Sequence, residues 1–367
     1  MLQLILAASR ACLAAAAPLA ALALPCFAAE PAPVPAEQVL SAEVAIPAFT
    51  YPPSVFASEE LHRAYAHSLA TPGDGTIPIP QDPKIIQIMR ERVNGMFEQV
   101  MPMVRERYPV DTAPAEIAGV EVIRVTPRGG ITEANSDRVL INLHGGAFMV
   151  GWPSVALLDA IPVAALSGIE VITLNYRMYP DAVHPAALED LAAVYRELLK
   201  EYPAQNIGIF GGSAGGVVTL QAIPWFAEHN LPRPAAIAPL AASFRTAVGD
   251  SAIWNFNGGF AKPGPDGAAL ISKGGYFGEM DRTEGVSDTS PATLQAYPPT
   301  LLLAGTRAPE LSGAVDAHTK LLKQGVDSQL YVIEGGWHSS YSTAPQTPES
   351  QDAMLYIARW FDKHLGT

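Results

Sequence analysis

The chain has 367 residues, of which 49% are hydrophobic and 16% charged, and 36 acidic side chains against 23 basic ones give a formal charge of −13. The acidic balance argues against a protein that binds nucleic acid or a membrane surface through clustered Lys and Arg, and the apolar fraction argues against a disordered chain. The length suits one large α/β domain with insertions, or two ordinary domains.

Residues 1–28 have the composition of a secretory signal peptide. Their only charge is Arg10, and a run rich in Leu and Ala follows it and ends at the small residue Ala28. Cleavage after Ala28 removes both cysteines, Cys12 and Cys26, so we expect an exported, periplasmic or secreted chain with no disulfide and no stable membrane anchor. The alternative is an uncleaved N-terminal anchor, for which the apolar run is short.

We predict that residues 29–110 form a Pro-rich arm followed by cap helices. Pro and Ala dominate residues 30–53, as in extended linkers. Helical spacing of apolar residues predicts one helix over 58–69 and another that begins after Asp82. The second carries a Met-rich apolar stripe, which indicates either simple packing or a lid over an acyl pocket.

We predict that residues 111–367 form an α/β catalytic domain. Short apolar runs alternate there with helical segments, as in a mostly parallel sheet that is covered by helices on both faces. Residues 243–299 break the alternation and are expected to form an insertion beside the active site. Strands are expected at 120–125, 139–143, 171–174, 207–210, 235–239, 300–303 and 330–333, and helices at 185–201, 214–229, 313–324 and 349–364.

The sequence Gly-Gly-Ser-Ala-Gly-Gly at 211–216 lies between a predicted strand and a predicted helix. A Gly-x-Ser-x-Gly sequence in that context is the nucleophile elbow, a turn so sharp that the neighbours of the serine must be nearly free of side chains. A phosphate-binding turn is the alternative, but the P-loop Lys and the dinucleotide-binding Gly spacing are both absent. We therefore predict that Ser213 is a catalytic nucleophile.

The sequence His-Gly-Gly-Ala-Phe at 144–148 follows another predicted strand. Acyl transfer needs backbone N–H groups directed at the oxyanion, and small residues allow the close approach. Gly145, Gly146 and Ala147 are therefore the candidate donors, with the N–H group of Ala214 completing the oxyanion hole. Which two of the first three donate stays open. His144 precedes the serine and is expected to hold this loop rather than act as a base.

The general base is expected after the serine in the chain. Four histidines follow it, and His338 alone occupies a loop just beyond a predicted strand. We predict His338 as the base. The others lie in predicted helices and are His229, His318 and His364.

These sequences, with Asn-Tyr-Arg at 175–177, Pro-Ala-Ala-Leu-Glu-Asp at 185–190 and Gly-Gly-Trp-His at 335–338, resemble the hormone-sensitive-lipase-like branch of the α/β-hydrolases, mostly bacterial carboxylesterases. They span roughly residues 115 to 365 in the expected order. The resemblance implies an α/β-hydrolase fold with an eight-stranded, mostly parallel sheet and a cap made largely of N-terminal helices. It also implies hydrolysis of short acyl esters without a cofactor.

Two residues depart from that family. Gly212 stands where the family usually has Asp before the nucleophile, and Ala308 stands where it has the triad acid. The nearest carboxylate in that loop is Glu310, which we predict as the acid, although it is also placed to be a first-turn charge on the next helix. Asp316, Asp288 or no acid at all are the alternatives.

The predicted function is a serine carboxylesterase that hydrolyses short-chain acyl esters or lactones through a Ser-His-acid triad and an acyl-enzyme. A peptidase or acyltransferase of the same fold is one alternative. A weakly active or non-catalytic binding protein is another, because of Ala308. The expected partner is a small-molecule ester, and no metal centre is expected because no His-Glu-x-x-His or other tight His/carboxylate cluster occurs.

Overall fold

The structure is a computed structural model that describes residues 50–70, 79–245, 248–253, 274–282 and 284–366. The predicted signal peptide, most of the Pro-rich arm and part of the predicted insertion lie outside these residues. Contacts divide the chain into residues 1–51 and a second unit, Pro52–Thr367. All of the elements below belong to the second unit.

One sheet of eight strands runs through the described part of the second unit. The strands are β1 (Val110–Ile117), β2 (Val120–Pro127), β3 (Val139–Leu143), β4 (Glu170–Leu174), β5 (Ile207–Gly212), β6 (Ala236–Leu240), β7 (Thr300–Gly305) and β8 (Ser328–Ile333). In space they follow the order β1-β2-β4-β3-β5-β6-β7-β8. The β1–β2 and β2–β4 pairs are antiparallel, and every later pair is parallel, which confirms the eight-stranded, mostly parallel prediction.

Helices cover both faces of this sheet. The helices are α1 (Glu59–Ala70), α2 (Pro83–Glu98), α3 (Met101–Arg107), α4 (Ser154–Ser167), α5 (Ala186–Leu198), α6 (Ala214–Glu228), α7 (Asp250–Ile253), α8 (Pro291–Gln295), α9 (Leu311–Lys323), α10 (Ser340–Thr343) and α11 (Pro348–His364). Residues of α5, α6 and α9 pack in the hydrophobic cluster on one face of the sheet, and residues of α4 and α11 pack in the hydrophobic cluster on the other face.

The central strands are apolar throughout because both of their faces are covered. In β3, Ile141 packs into one cluster and its neighbour Leu140 into the other, and Ile209 and Phe210 repeat this alternation in β5. The parallel strands end at the same edge of the sheet. The loops that follow β3, β5, β7 and β8 therefore gather at one edge, where the predicted site residues lie.

Besides short helices, the sequence analysis missed one strand and one long helix of the α/β region. The strand β1 is an antiparallel edge strand that contains Pro114 and exposes most of its residues, so it has no apolar run. The helix α4 is apolar on nearly all sides and contains Pro162, so its sequence shows no helical period. Burial between the sheet and other helices makes α4 helical.

The N-terminal helices begin where local signals predict. The side chain of Asp82 accepts a hydrogen bond from the N–H group of Lys84, and Pro83 occupies the first position of α2. The Met-rich stripe of α2 packs through Met89 on Met149, just after the predicted oxyanion loop. No helix in the described ranges has the length and apolar character needed to cross a membrane.

Candidate active site

Ser213 lies at the turn from β5 into α6. Its backbone has φ +52° and ψ −112°, a conformation that residues other than glycine rarely adopt. The N–H group of Ser213 donates to the carbonyl of Leu240 at 2.8 Å. A Cβ atom at Gly215 would lie 1.8 Å from the carbonyl oxygen of Leu143, so only glycine fits there. These constraints hold the serine hydroxyl at the carboxyl end of β5.

The three residues predicted as a triad lie within hydrogen-bonding distance of one another. His338 Nε2 is 2.8 Å from Ser213 Oγ, and His338 Nδ1 is 3.0 Å from Glu310 Oε2. When the Nδ1–H group donates to the carboxylate, Nε2 is left to accept the proton of the serine hydroxyl. This is the arrangement that activates a serine nucleophile.

The electrostatics of the pair favour a protonatable imidazole. The Glu310 side chain is 7% exposed and that of His338 is 28% exposed. Burial acts to lower the pKa of His338, but the charge of Glu310 and its hydrogen bond outweigh burial, and the pKa is raised. The carboxylate is therefore placed to stabilise an imidazolium at this position.

Glu310 reaches the imidazole because the loops after β7 and β8 are bonded together. The N–H group of Arg307 donates to the carbonyl of Gly336 at 2.9 Å, and the N–H group of Gly335 donates to Thr306 Oγ1 at 2.8 Å. Glu310 directly precedes α9, and its side chain makes no capping hydrogen bond. The carboxylate is directed at His338 instead of at the helix.

The other residues weighed for the acid are engaged elsewhere. Ala308 is buried and carries no polar group. Asp316 forms an ion pair with Lys320 at 2.7 Å. Asp288 accepts hydrogen bonds from the loop and helix that follow it, including one from Thr293. Of the predicted carboxylates, Glu310 is the one that the structure places beside the imidazole.

The predicted oxyanion loop lies against the nucleophile. A Cβ atom at Gly145 would come within 3.4 Å of the Cβ atom of Ser213. Gly146 has φ +124°, and a Cβ atom there would lie 1.9 Å from the carbonyl oxygen of Val150, so this position also requires glycine. Ala147 adopts φ +54°. The chain turns sharply directly beside Ser213.

The N–H groups of this loop are available to a ligand. Those of Gly145, Gly146 and Ala147 donate no backbone hydrogen bond within the described residues. The N–H group of Ala214 belongs to the first turn of α6, where no intrahelical acceptor exists. The positive end of the α6 dipole adds to the attraction for an anion at this point.

Aromatic residues outside the motif support the oxyanion loop. Phe148 has φ +60° and stacks on Tyr276, with ring centroids 4.7 Å apart, while Phe277 meets the same ring edge-on at 5.0 Å. The carbonyl of Phe148 accepts the N–H group of Tyr179 at 2.9 Å. Part of the predicted insertion therefore packs against the loop that follows β3.

His144 has a different environment from His338. It is fully buried, its Nδ1–H donates to the carbonyl of Gly145 at 2.7 Å, and its ring stacks on Tyr176 at 4.5 Å. Burial lowers the pKa of His144 to about 4, although the Gly145 carbonyl opposes this, so the imidazole is neutral at pH 7. The other downstream histidines contact groups away from Ser213. These contacts are His229 with the carbonyl of Trp225, His318 with the hydroxyl of Ser328, and His364 with the carboxylate of Asp327.

The predicted cap helix α2 is anchored beside the predicted oxyanion loop by polar residues that the sequence analysis missed. The guanidinium of Arg90 donates to the carbonyl of Met149 at 2.8 Å and to that of Tyr179 at 3.1 Å. The amide of Asn94 donates to the carbonyl of Trp152 at 2.8 Å. Polar residues on a cap helix are ordinarily solvated, so no local signal distinguishes these two.

No group of three or more His, Cys, Asp or Glu side chains suited to a metal ion occurs in the parts of the chain that the structure describes.

A family model of the alpha/beta hydrolase fold matches residues 140–342, which include the elbow, the oxyanion loop, Glu310 and His338. Among curated sequences, the chain is 27% identical over 257 residues to a Mycobacterium tuberculosis protein that carries the name acetyl-hydrolase, covering 68% of this chain and 79% of that one. It is 34% identical over 100 residues to an acetyl-hydrolase of Streptomyces hygroscopicus, covering 27% of this chain and 33% of the relative.

Solved structures agree in fold. A crystal structure of an esterase superposes with a TM-score of 0.71 at 26% identity, covering 88% of this chain and 99% of that one. An esterase from the bacterial hormone-sensitive lipase family gives a TM-score of 0.68 at 25% identity, covering 84% and 99%. The fold and the elbow define an α/β-hydrolase. The chain belongs to the alpha/beta hydrolase fold family, which confirms the resemblance found in its sequence.

Proposed function

We propose that this protein is a serine carboxylesterase that hydrolyses short-chain acyl esters. The observation that carries the proposal is the continuous hydrogen-bonded series from Ser213 through His338 to Glu310, at 2.8 and 3.0 Å. Relatives named acetyl-hydrolase, acetyl esterase and esterase support carboxylic ester hydrolysis as the reaction and small acyl groups as the substrates.

In the proposed reaction, Ser213 Oγ attacks the ester carbonyl carbon while His338 Nε2 accepts the hydroxyl proton. The carbonyl oxygen becomes an oxyanion that accepts hydrogen bonds from the 145–147 loop and from Ala214. Collapse of this intermediate breaks the bond to the alcohol oxygen, which takes the proton from His338. Water then attacks the acyl-enzyme with His338 again as the base, and the acid product leaves.

The test is hydrolysis of p-nitrophenyl esters with acyl chains from two to eight carbons. We expect turnover of the shortest esters, and Ser213→Ala should lower kcat by about 10⁶-fold, because the nucleophile is absent. Ser136→Ala is the matched control, since that serine is exposed and its hydroxyl donates to the carbonyl of Glu133. Turnover near the wild-type rate in Ser213→Ala would contradict the assignment.

The alternatives differ from an esterase in separate measurements. A fluorophosphonate probe should label Ser213 in the wild type and not in Ser213→Ala. A non-catalytic binding protein would leave both unlabelled. A peptidase would prefer p-nitroanilides of the same acyl groups. An acyltransferase would transfer most of the acyl group to an added alcohol instead of to water. If lactones are substrates, incubation of a lactone with the protein should yield the ring-opened hydroxy acid.

Export is a further part of the proposal. The composition of residues 1–28 supports removal of a signal peptide after Ala28. Expression in a bacterium with an export pathway, followed by N-terminal sequencing, should find a mature chain in the periplasm or medium that begins at Ala29. A full-length chain in the cytoplasm would contradict this part.

A further inference from the structure

A buried carboxyl group lies close to the site but takes no part in the proposed mechanism. Asp159 belongs to α4, within an otherwise apolar stretch, and it is 1% exposed. Its Oδ1 atom has no hydrogen-bond partner within the described residues. A carboxyl group buried without compensation is costly, so its position in the middle of this helix requires a physical explanation.

Asp159 lies directly behind the nucleophile elbow. A Cβ atom built on Gly212 would lie 3.0 Å from Asp159 Oδ2 and 2.3 Å from the hydroxyl oxygen of Tyr341. These two polar groups, from α4 and α10, occupy the space that a side chain at residue 212 would need. The residue before Ser213 is therefore glycine in this chain because its side-chain volume is already filled.

The groups that face Asp159 at this point come from the helix that follows His338. Tyr341 and Ser342 are both buried in α10, and neither hydroxyl makes a hydrogen bond of standard geometry in the described part of the chain. Ser342 is close enough to Asp159 to influence its ionisation. The buried oxygens of Asp159, Tyr341 and Ser342 therefore lie together between the elbow and α10.

The other titratable groups that act on this cluster are acidic. Burial raises the pKa of the Tyr341 hydroxyl, and the carboxyl groups of Asp159 and Glu310 raise it further. Burial raises the pKa of Asp159 to about 7, although the Ser342 hydroxyl opposes this shift. A neutral carboxyl group is both a hydrogen-bond donor and an acceptor, so it suits a position between two hydroxyl groups.

We propose that Asp159 is a positioning residue for hydrolysis, acting through Tyr341 and Ser342 to hold α10 against the elbow and thereby to hold His338 over Ser213. The inference rests on the proposed esterase function. It follows from the geometry, because α10 begins two residues after His338 and contacts the residue that directly precedes Ser213. A shift of about 1 Å between base and nucleophile is enough to lower a rate by about 10²-fold.

The test measures kcat and KM with p-nitrophenyl acetate for Asp159→Ala, Asp159→Asn, Tyr341→Phe and the double variant of Asp159→Ala with Tyr341→Phe. Asp159→Ala and Tyr341→Phe should each lower kcat by about tenfold with KM nearly unchanged, because they misplace the base without altering ester binding. The double variant should be no slower than the slower single variant, because both act through one contact. Asp159→Asn should keep kcat near the wild-type value, because the amide also has a donor and an acceptor.

Val163→Ala is the matched control, since Val163 is buried one turn further along α4 and contributes only packing. It should lower the melting temperature and leave kcat unchanged. Asp159→Ala with wild-type kcat, additive losses in the double variant, an Asp159→Asn variant as slow as Asp159→Ala, or an equal kcat loss in Val163→Ala would each overturn the inference.

Two further results keep the test decisive. If Asp159→Ala does not fold, Tyr341→Phe and Asp159→Asn carry it, and wild-type kcat in Tyr341→Phe overturns the inference. Failure of the wild-type protein to react with a fluorophosphonate probe overturns the proposed function itself. A labelled, active wild type with unaffected variants overturns only the role of Asp159.

Discussion

The nucleophile half of the site and the base half are held in different ways. Ser213 and the 145–147 loop depend on backbone geometry within a few residues, with positive φ angles and glycines that no other residue can replace. Although Gly335 and Ser339 beside His338 adopt positive φ angles, His338 and Glu310 do not themselves adopt them. Their separation of 3.0 Å depends on hydrogen bonds between two loops that lie almost thirty residues apart in the chain.

This difference explains why the two halves differ in how they can be recognised. A strained turn restricts residue types at neighbouring positions, so it leaves a motif in the sequence. Contacts between distant loops restrict where an oxygen must lie, and several chain positions can supply that oxygen. The acid can therefore occupy residue 310 instead of residue 308, because the 305–310 loop brings Glu310 to the same imidazole.

Apart from removal of the nucleophile itself, the largest expected effect is on the base half. Glu310→Gln should lower kcat by about 10³- to 10⁴-fold, because the imidazolium loses its stabilising charge. The acid limb of the profile of kcat/KM against pH should also move to lower pH. Glu310 raises the pKa of His338 against burial, so without the carboxylate the imidazole stays unprotonated in more acidic solution.

Asp316→Asn is the control for this experiment, because Asp316 is a nearby carboxylate on α9 that pairs with Lys320 at the surface. It should leave both kcat and the pH profile unchanged. Equal losses in the two variants, or an unaltered rate in Glu310→Gln, would move the acid elsewhere in the chain.

Adding a single methyl group to the nucleophile half should be enough to lower kcat. Gly146→Ala places a Cβ atom 1.9 Å from the carbonyl oxygen of Val150, so the loop must move and its N–H groups must leave the oxyanion. We expect kcat to fall by about 10²- to 10³-fold, the usual loss when an oxyanion donor is removed. Gly129→Ala has open space around it and should have wild-type kinetics, and a fully active Gly146→Ala would exclude this loop as the oxyanion hole.

A smaller effect is expected where the cap helix meets the nucleophile half. Arg90→Ala removes the hydrogen bonds from α2 to the carbonyls of Met149 and Tyr179 and to the carboxylate of Asp181. The loss should weaken ester binding equally in the ground and transition states, raising KM by about three- to tenfold with little change in kcat. Arg92→Ala, an exposed neighbour on α2, should change neither constant. A large fall in kcat for Arg90→Ala would show that the cap orients the reacting groups as well.

The smallest effect concerns stability where the two halves meet. The pKa of Asp159 is raised to about 7 in the folded chain, from a usual value near 4, so the folded state loses stability as pH rises between these values. Asp159→Asn has no such ionisation. Its melting temperature should exceed that of the wild type by roughly 5 °C at pH 8 and by much less at pH 5. Parallel melting curves at every pH would show that Asp159 does not titrate in this range.

Much of the α/β region was predictable because strands that are buried on both faces of the sheet require short runs of apolar residues. The seven strands expected from such runs are present, and the eight-stranded, mostly parallel sheet agrees with the resemblance to α/β-hydrolases. The helix α4 and the strand β1 escaped prediction for opposite reasons. The first is apolar on almost every side, and the second is an exposed edge, so neither shows the period of its own structure.

Residue patterns along the chain are enough to predict the class of fold and the chain positions of the candidate nucleophile Ser213, the 145–147 loop and His338, because strained turns and strand ends admit few residue types. Which carboxylate lies beside His338, and why Gly212 precedes Ser213, become apparent from the three-dimensional contacts. Both depend on where distant segments meet in space: the loops after β7 and β8 in one case, and α4 with α10 in the other. Such contacts constrain the positions of atoms and leave little trace in the residues next to them along the chain.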